Sequence, residues 1–224
     1  MSKKLFYTLA FLLPLFGIKA QTVIDSSFRF YYYDQKLSMF KDNTTINADA
    51  VFAGDSITDG GEWAEFFPGK KVLNRGISAD NTFGLLNRVD ELIARKPKKL
   101  FILIGINDLA KSTPPEVILS NLQKLVKQVH SGSPQTTMVL QTLMPTNEAF
   151  PDFPKHQHKT AEIMMVNAGI AKLASTTGSI LLDLNPVFAD SNGQLDKKFT
   201  NDGLHLMGSG YQVWVKLIQE KINL

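Results

Sequence analysis

The sequence predicts a three-layer α/β/α domain, flavodoxin-like in type, built on a five-stranded parallel sheet. Short apolar runs alternate with segments of helical periodicity, and turn or charged residues flank each run. Strands and helices that alternate in this way form a parallel sheet with helices on both faces. Length and composition agree, because 224 residues with 44% hydrophobic and 20% charged side chains are typical of one globular domain.

The elements follow one another regularly from residue 28 onward. Five apolar runs are predicted to be strands, at residues 50–54, 71–74, 100–105, 137–143 and 179–184. Six segments are predicted to be helices, at residues 28–40, 61–67, 82–95, 115–130, 155–176 and 209–222. The first helix is rich in aromatic residues, which bury large areas, so we expect it to pack beside the sheet rather than to form a binding surface.

The first twenty residues differ sharply from the rest of the chain. Lys3 and Lys4 precede an almost wholly apolar stretch, residues 5–18, and Ala20 supplies a small residue for cleavage. This is the layout of a secretory signal peptide, so we predict that residues 1–20 are removed and that residues 21–224 form one domain. An uncleaved anchor helix or a buried N-terminal helix is the alternative. No other segment has the apolar length that a membrane span needs.

Charge and cysteine content narrow the possible partners. The predicted leader contains three lysines and no acid, and the whole chain has a net charge of +3, so the mature chain carries no net charge. That argues against nucleic acid or an anionic membrane as the main partner, since both bind clustered positive charge. The absence of cysteine excludes disulfides, thiolate catalysis and cysteine zinc sites. An exported protein of this size without disulfides must rely on its core for stability. We therefore expect an exported bacterial protein, periplasmic or extracellular.

Polar residues suited to ester chemistry follow several of the predicted strands. Ser56 comes directly after the first strand, and Asn107 follows the third. Because the carboxyl ends of parallel strands share one edge of the sheet, these side chains are expected to meet there. A serine nucleophile needs a base and a group that orients the base, and His205 and Asp202 are the candidates.

Each of these residues also has a purely structural interpretation. Ser56 is a suitable helix cap, Asn107 lies in a turn-like sequence, and His205 has the position of an ordinary surface histidine. His156 and His158 have a spacing seen in metal sites, but no carboxylate pattern accompanies them, and no metal or cofactor is expected. The agreement of several independent pieces favours catalysis.

Three blocks together resemble the GDSL or SGNH hydrolases, in particular their platelet-activating-factor acetylhydrolase-like and carbohydrate acetylesterase branches. They are GDSIT at residues 54–58, GIND at residues 105–108 and DGLH at residues 202–205. The resemblance covers residues 49–211. It implies that residues 21–224 form a single SGNH-type hydrolase domain.

The resemblance also assigns roles to individual residues. Ser56 is expected to be the nucleophile, with His205 as general base and Asp202 as its orienting partner. The oxyanion hole is expected to use the N–H of Ser56, the N–H of Ala79 and the amide of Asn107. The family has glycine where this chain has Ala79, and alanine can replace it if the backbone there does not need a positive φ.

The expected function is hydrolysis of small acyl esters, chiefly O-acetyl esters on carbohydrates such as sialic acids or polysaccharides. A long loop, residues 144–158, is expected to overhang the site and to shape its pocket. The alternatives are a lysophospholipase or thioesterase of the same family, or a carbohydrate-binding protein without activity. Asp55 and Asp59 disfavour a phosphate-binding flavodoxin-like protein, and an α/β-hydrolase would need a Gly-x-Ser-x-Gly motif, which the chain lacks.

The expected partner is therefore a small-molecule or glycan ester. Neither nucleic acid binding nor membrane insertion after signal cleavage is expected. The sequence makes no prediction about the oligomeric state.

Overall fold

A computed structural model describes residues 24–224 of the chain. The predicted signal peptide, residues 1–20, lies outside the described residues. Within residues 24–224, no helix combines the length and the apolar character that crossing a bilayer requires.

Five parallel strands form one sheet, as the sequence predicts, with helices on both sides. The strands are β1 (Ala50–Gly54), β2 (Val72–Gly76), β3 (Lys99–Leu103), β4 (Thr137–Gln141) and β5 (Ile180–Leu182), and their order across the sheet is β2-β1-β3-β4-β5. Gly54 is in register with Gly76 on one side and with Leu103 on the other. The carboxyl ends of β1, β2 and β3 therefore lie side by side.

Ten α-helices are assigned in the described part of the chain. They are α1 (Tyr31–Asp42), α2 (Ser56–Asp59), α3 (Trp63–Phe66), α4 (Thr82–Asn87), α5 (Val89–Ala94), α6 (Ile106–Ala110), α7 (Pro115–Gly132), α8 (Thr160–Thr177), α9 (Asn185–Phe188) and α10 (Gly208–Ile222). Two single 3₁₀ turns, Pro154–His156 and Lys197–Phe199, lie in loops.

Stacked aromatic rings join the sheet to the helices beside the first strand. Phe52 on β1 stacks on Phe101 of β3 with 4.4 Å between ring centroids, and on Trp63 of α3 with 3.9 Å. Trp214 of α10 meets Trp63 edge-on at 4.8 Å. All four side chains are almost fully buried, and aromatic rings supply the largest buried area per residue. This cluster anchors the element that leads into the predicted nucleophile.

The aromatic helix α1 has a packing role, as expected, but it packs on the loops at the edge of the sheet. Tyr33 and Phe40 are buried in a small cluster with Ile77, which follows β2 directly. The Tyr33 hydroxyl donates to the Gly84 carbonyl at the start of the chain's fourth helix, over 2.9 Å. The aromatic composition of α1 is thereby explained, because a single short helix must bury a large apolar area to remain packed on these loops.

The predicted helix 82–95 is interrupted at Arg88. Its backbone leaves the helical conformation (φ −111°, ψ 15°), and its guanidinium is fully buried against the carboxylate of Asp80 at 2.9 Å. Arg88 also donates to the Gly54 carbonyl over 3.2 Å. The break turns the side chain inward, so a tertiary ion pair outweighs local helix propensity. The predicted helix 155–176 likewise begins later, at Thr160, because residues 154–156 form a separate turn.

We predict that Arg88→Leu lowers the free energy of unfolding by about 3–5 kcal/mol, because it leaves the Asp80 carboxylate buried without a counter-charge. Urea denaturation of the purified protein measures this change. Arg29→Leu is the matched control, since Arg29 pairs with Asp34 in an exposed ion pair and should cost less than about 1 kcal/mol. Equal losses in the two variants would contradict the prediction.

Candidate active site

The predicted nucleophile lies at the first position of the short helix after β1. Ser56 begins α2, and the side chain of Asp55 caps this helix by accepting a hydrogen bond from the Ile57 N–H over 3.0 Å. The turn is tight, since a Cβ on Gly54 would collide with the Leu103 carbonyl of the neighbouring strand. Tyr211 holds the other side of the turn by donating to the Ile57 carbonyl over 2.8 Å. The Ser56 hydroxyl is therefore presented at the edge of the sheet from a well-anchored backbone.

A hydrogen-bonded line joins three of the predicted site residues. The Ser56 Oγ lies 2.9 Å from Nε2 of His205, and Nδ1 of the same ring lies 2.7 Å from Oδ2 of Asp202. Because the carboxylate only accepts, it requires the hydrogen on Nδ1 and leaves Nε2 free to accept from the serine. Residues that are 149 positions apart in sequence thus meet in the geometry that proton transfer needs.

Asp202 is held by its own turn. Its Oδ1 accepts from the N–H of Leu204 over 2.9 Å and from the N–H of His205 over 2.8 Å. Gly203 between them has a φ of 81°, a conformation that favours glycine. Burial opposes ionisation of Asp202, but these hydrogen bonds and the imidazole outweigh it and hold the pKa of the carboxyl below its usual value. The Asp-x-x-His spacing therefore encodes both the turn and the contact with the ring.

The two predicted N–H donors lie at the start of α2 (Ser56) and in the loop after β2 (Ala79). The Ala79 N–H and the Ser56 N–H donate no hydrogen bond to another residue in the 24–224 range. Ala79 occupies the third position of a turn closed by the Asp80 N–H donating to the Ile77 carbonyl over 3.0 Å. Both groups remain available to an incoming oxygen atom.

The backbone condition placed on Ala79 is not met. Its φ is 66°, in the left-handed region where glycine is favoured and where a β-carbon is strained. Ala79 therefore keeps its N–H in a strained, glycine-like backbone, and its role as an oxyanion donor stays a prediction. The turn keeps the glycine-like conformation because the neighbouring Asp80 is anchored by Arg88.

Asn107 lies on α6, after β3, and faces the same region. Its Nδ2 donates to the Asp80 carbonyl over 2.9 Å, and its Oδ1 lies 2.9 Å from Nε2 of His156. Asp108 beside it accepts from the backbone and side chain of Thr82, and burial raises the pKa of Asp108 to about 6. These bonds tie α6 to the start of α4 and orient the Asn107 side chain.

Neither acid beside Ser56 contacts the hydroxyl. Asp55 caps α2, and burial raises the pKa of its carboxyl to about 7. Asp59 accepts from Tyr32, Lys36 and Ser78, which ties α1 to the turn that carries Ala79. Both acids are structural supports of the site.

His156 is the residue of this site to which the sequence assigned no role in ester chemistry. It lies in the 3₁₀ turn of the long loop, beside Phe153, whose ring meets His156 at 5.8 Å and His205 at 4.9 Å. His158 points elsewhere, with its Nδ1 3.0 Å from Glu148, so the two histidines do not converge. Among residues 24–224 there is no group of three potential metal ligands. Only the loop's length signalled that it would reach the site.

A groove of about 740 Å³ adjoins the site. Ala79, Asn107 and His156 of the site contribute to its lining. The charged and polar side chains that line the rest of it are Lys111, Lys155, Gln157, Lys159, Asp25 and Ser112. The long loop supplies one side of this groove, as expected for a segment that overhangs the edge of the sheet.

We predict that Ala79→Gly raises the free energy of unfolding by up to about 1 kcal/mol. Glycine relieves the strain of alanine in the left-handed region of the folded state. Glycine also makes the unfolded chain more flexible, and this entropic cost offsets only part of the gain. Thermal and urea denaturation measure the change. Ala168→Gly, at an exposed position inside α8, is the matched control and should lower stability by about 1 kcal/mol. A loss of stability at both positions would contradict the prediction.

Comparisons with known proteins identify the family. The family model described as GDSL-like Lipase/Acylhydrolase matches residues 52–213, more than half of the chain. The rat protein named platelet-activating factor acetylhydrolase IB subunit alpha2 is 29% identical over 180 residues, which cover 78% of this chain and 76% of that protein.

Solved structures share the fold. A Streptococcus pneumonia structure named for platelet activating factor has a TM-score of 0.77 and 28% identity, and the match covers 84% of this chain and 92% of that chain. An acetylxylan esterase from Geobacillus stearothermophilus has a TM-score of 0.61 and 20% identity, with 81% of this chain and 96% of that chain covered. The chain therefore belongs to the GDSL-like lipase/acylhydrolase family and is an ester-hydrolysing enzyme with the SGNH hydrolase fold.

Proposed function

We propose that the protein is a serine esterase that removes small acyl groups, chiefly O-acetyl groups, from carbohydrates. The observation that carries the proposal is the hydrogen-bonded line from Ser56 through His205 to Asp202, with distances of 2.9 Å and 2.7 Å. A hydroxyl, an imidazole and a carboxylate in this order form the arrangement that activates serine for attack on an ester.

In the first half of the reaction, Ser56 Oγ attacks the ester carbonyl while His205 Nε2 accepts its proton. The tetrahedral intermediate then collapses, the bond to the alcohol breaks, and His205 returns the proton to the leaving alkoxide. Asp202 keeps the ring in the required tautomer and stabilises its positive charge. A water molecule then attacks the acyl-enzyme in the same way, with His205 again accepting and returning the proton. The acid is released and Ser56 is restored.

The oxyanion of each intermediate needs donors that are already aimed at it. The Ser56 N–H, the Ala79 N–H and the Asn107 amide are the proposed donors. The two N–H groups make no hydrogen bond to another described residue, which supports this role. The Asn107 amide has one hydrogen bonded to the Asp80 carbonyl and a second hydrogen available.

The character of the groove supports a polar alcohol portion such as a sugar. Most of its lining side chains are charged or polar and can form hydrogen bonds with the hydroxyl groups of a sugar. The names of the relatives point to acetyl esters, since one is a platelet-activating factor acetylhydrolase subunit and another is an acetylxylan esterase. A signal peptide at residues 1–20, also part of this proposal, would bring the enzyme to extracytoplasmic glycans.

Two alternatives use the same site differently. A lysophospholipase or thioesterase would share the nucleophile and differ only in its substrate. A carbohydrate-binding protein without activity would have no need for the aligned proton path at Ser56.

We expect Ser56→Ala to reduce hydrolysis of p-nitrophenyl acetate by about 10³-fold or more, because no other group replaces the attacking oxygen. The wild-type activity should withstand EDTA. Ser131→Ala, at an exposed serine on α7, is the control and should retain full activity. Substantial activity in Ser56→Ala with unchanged thermal unfolding would refute the nucleophile assignment.

The acyl specificity is tested with a series of p-nitrophenyl esters from acetyl to long-chain acyl. We expect kcat/KM to be highest for acetyl and to fall as the chain lengthens, because a site shaped for a small acyl group discriminates against each added methylene. A panel of acetylated sugars and lysophospholipids, assayed for released acid, then identifies the alcohol portion. A maximum at octanoyl or longer esters would overturn the small-acyl assignment.

A further inference from the structure

His156 lies outside the proposed proton path but contacts one member of the oxyanion hole directly. Its Nε2 is 2.9 Å from Oδ1 of Asn107. The residue belongs to the turn Pro154–His156, so the contact links the long loop after β4 with α6 after β3. This hydrogen bond bears directly on the orientation of the Asn107 amide.

The surrounding acceptors define the direction of the hydrogen bond. The Asp80 carbonyl can only accept, so the NH₂ group of Asn107 faces Asp80, and its Oδ1 faces His156. Since Oδ1 also only accepts, Nε2 of His156 must carry the hydrogen. Nδ1 of His156 makes no hydrogen bond to any described residue, which agrees with its being the unprotonated nitrogen.

Without a donor at this position, the amide would lose the preference that sets its orientation. Rotation by half a turn would bring Oδ1 towards the Asp80 carbonyl and the forming oxyanion, and oxygen lone pairs would then face negative charge. The hydrogen bond from His156 opposes this rotation. It also polarises the amide, which makes the NH₂ group a stronger donor.

The environment of the ring suits this task. Phe153 packs edge-on against His156 and against His205, which restricts the plane of the His156 ring. Burial, with a smaller contribution from the charge of His205, lowers the pKa of His156 to about 4. The ring therefore stays neutral near neutral pH and adds no positive charge that would disfavour the imidazolium of His205.

We propose that His156 is a positioning residue of the oxyanion hole, which orients the Asn107 amide by donating from Nε2 to Oδ1. The inference rests on the proposed function, because it needs Asn107 to bind the oxyanion. His156 acts through Asn107 and does not itself touch the reacting atoms.

The test is a double-mutant cycle on p-nitrophenyl acetate hydrolysis, with Ser56→Ala as the background activity. Asn107→Ala should lower kcat by about 10²–10³-fold. His156→Leu should lower kcat by about 10- to 100-fold with little change in KM, because an oxyanion contact is made only in the transition state. In the Asn107→Ala background, His156→Leu should lower kcat by less than about 2-fold, since the group it orients is gone.

A merely structural role for His156 would give a different pattern. It would reduce activity by the same factor with or without the Asn107 side chain, and that additive result would overturn the inference. A wild-type kcat in His156→Leu would do the same. His158→Leu, at an exposed histidine two residues away, is the matched control and should leave both kcat and KM unchanged.

Conservative variants keep the test decisive if His156→Leu folds poorly. The amide nitrogen of Gln reaches the place of Nε2, so His156→Gln should restore kcat to within about 3-fold of wild type. The shorter amide of His156→Asn reaches only the place of Nδ1, so this polar variant should be as impaired as His156→Leu. Equal activity of the Gln and Asn variants would contradict the proposed donor.

The failure of this inference can be told apart from failure of the proposed function. If Ser56→Ala keeps its activity, the serine esterase proposal fails. If Ser56→Ala and Asn107→Ala are impaired while His156→Leu is not, only the role of His156 is wrong.

Discussion

The buried ion pair between Asp80 and Arg88 connects the parts of the edge on which the site is built. Both side chains are fully excluded from solvent, where an ion pair interacts strongly but is costly unless each charge is well compensated. Arg88 also binds the Gly54 carbonyl at the end of β1, and the Asp80 carbonyl accepts from Asn107 on α6. One pair of charges therefore links the loops after three neighbouring strands.

Much of this arrangement was predictable from sequence because its determinants are local. The strand β1 was predicted with its observed bounds, since a buried apolar run that ends at a Gly-Asp-Ser turn has few other solutions. The parallel order then places the strand ends together, so Ser56 and Asn107 were expected at one edge. The Asp202 to His205 spacing is equally local, because three residues close the turn that holds both partners.

The features that the sequence could not predict depend on contacts that the local sequence pattern does not signal. Arg88 leaves its helix because of a carboxylate eight positions earlier in the chain and a carbonyl on β1. The positive φ of Ala79 arises in a turn whose conformation is imposed by its neighbours, and alanine carries no signal for it. His156 had the appearance of a loop histidine, because its partner Asn107 is 49 residues away.

The attachment of α1 to Asp59 bears on where the folding unit begins. The family match starts at residue 52, yet Tyr32 and Lys36 bind the carboxylate that also receives the Ser78 hydroxyl and N–H. A fragment cut at the family boundary would lose α1 and uncover the apolar surface that Tyr33 and Phe40 shield. The segment that matches the family model and the folding unit are thus not the same length of chain, and truncation for expression should respect the longer one.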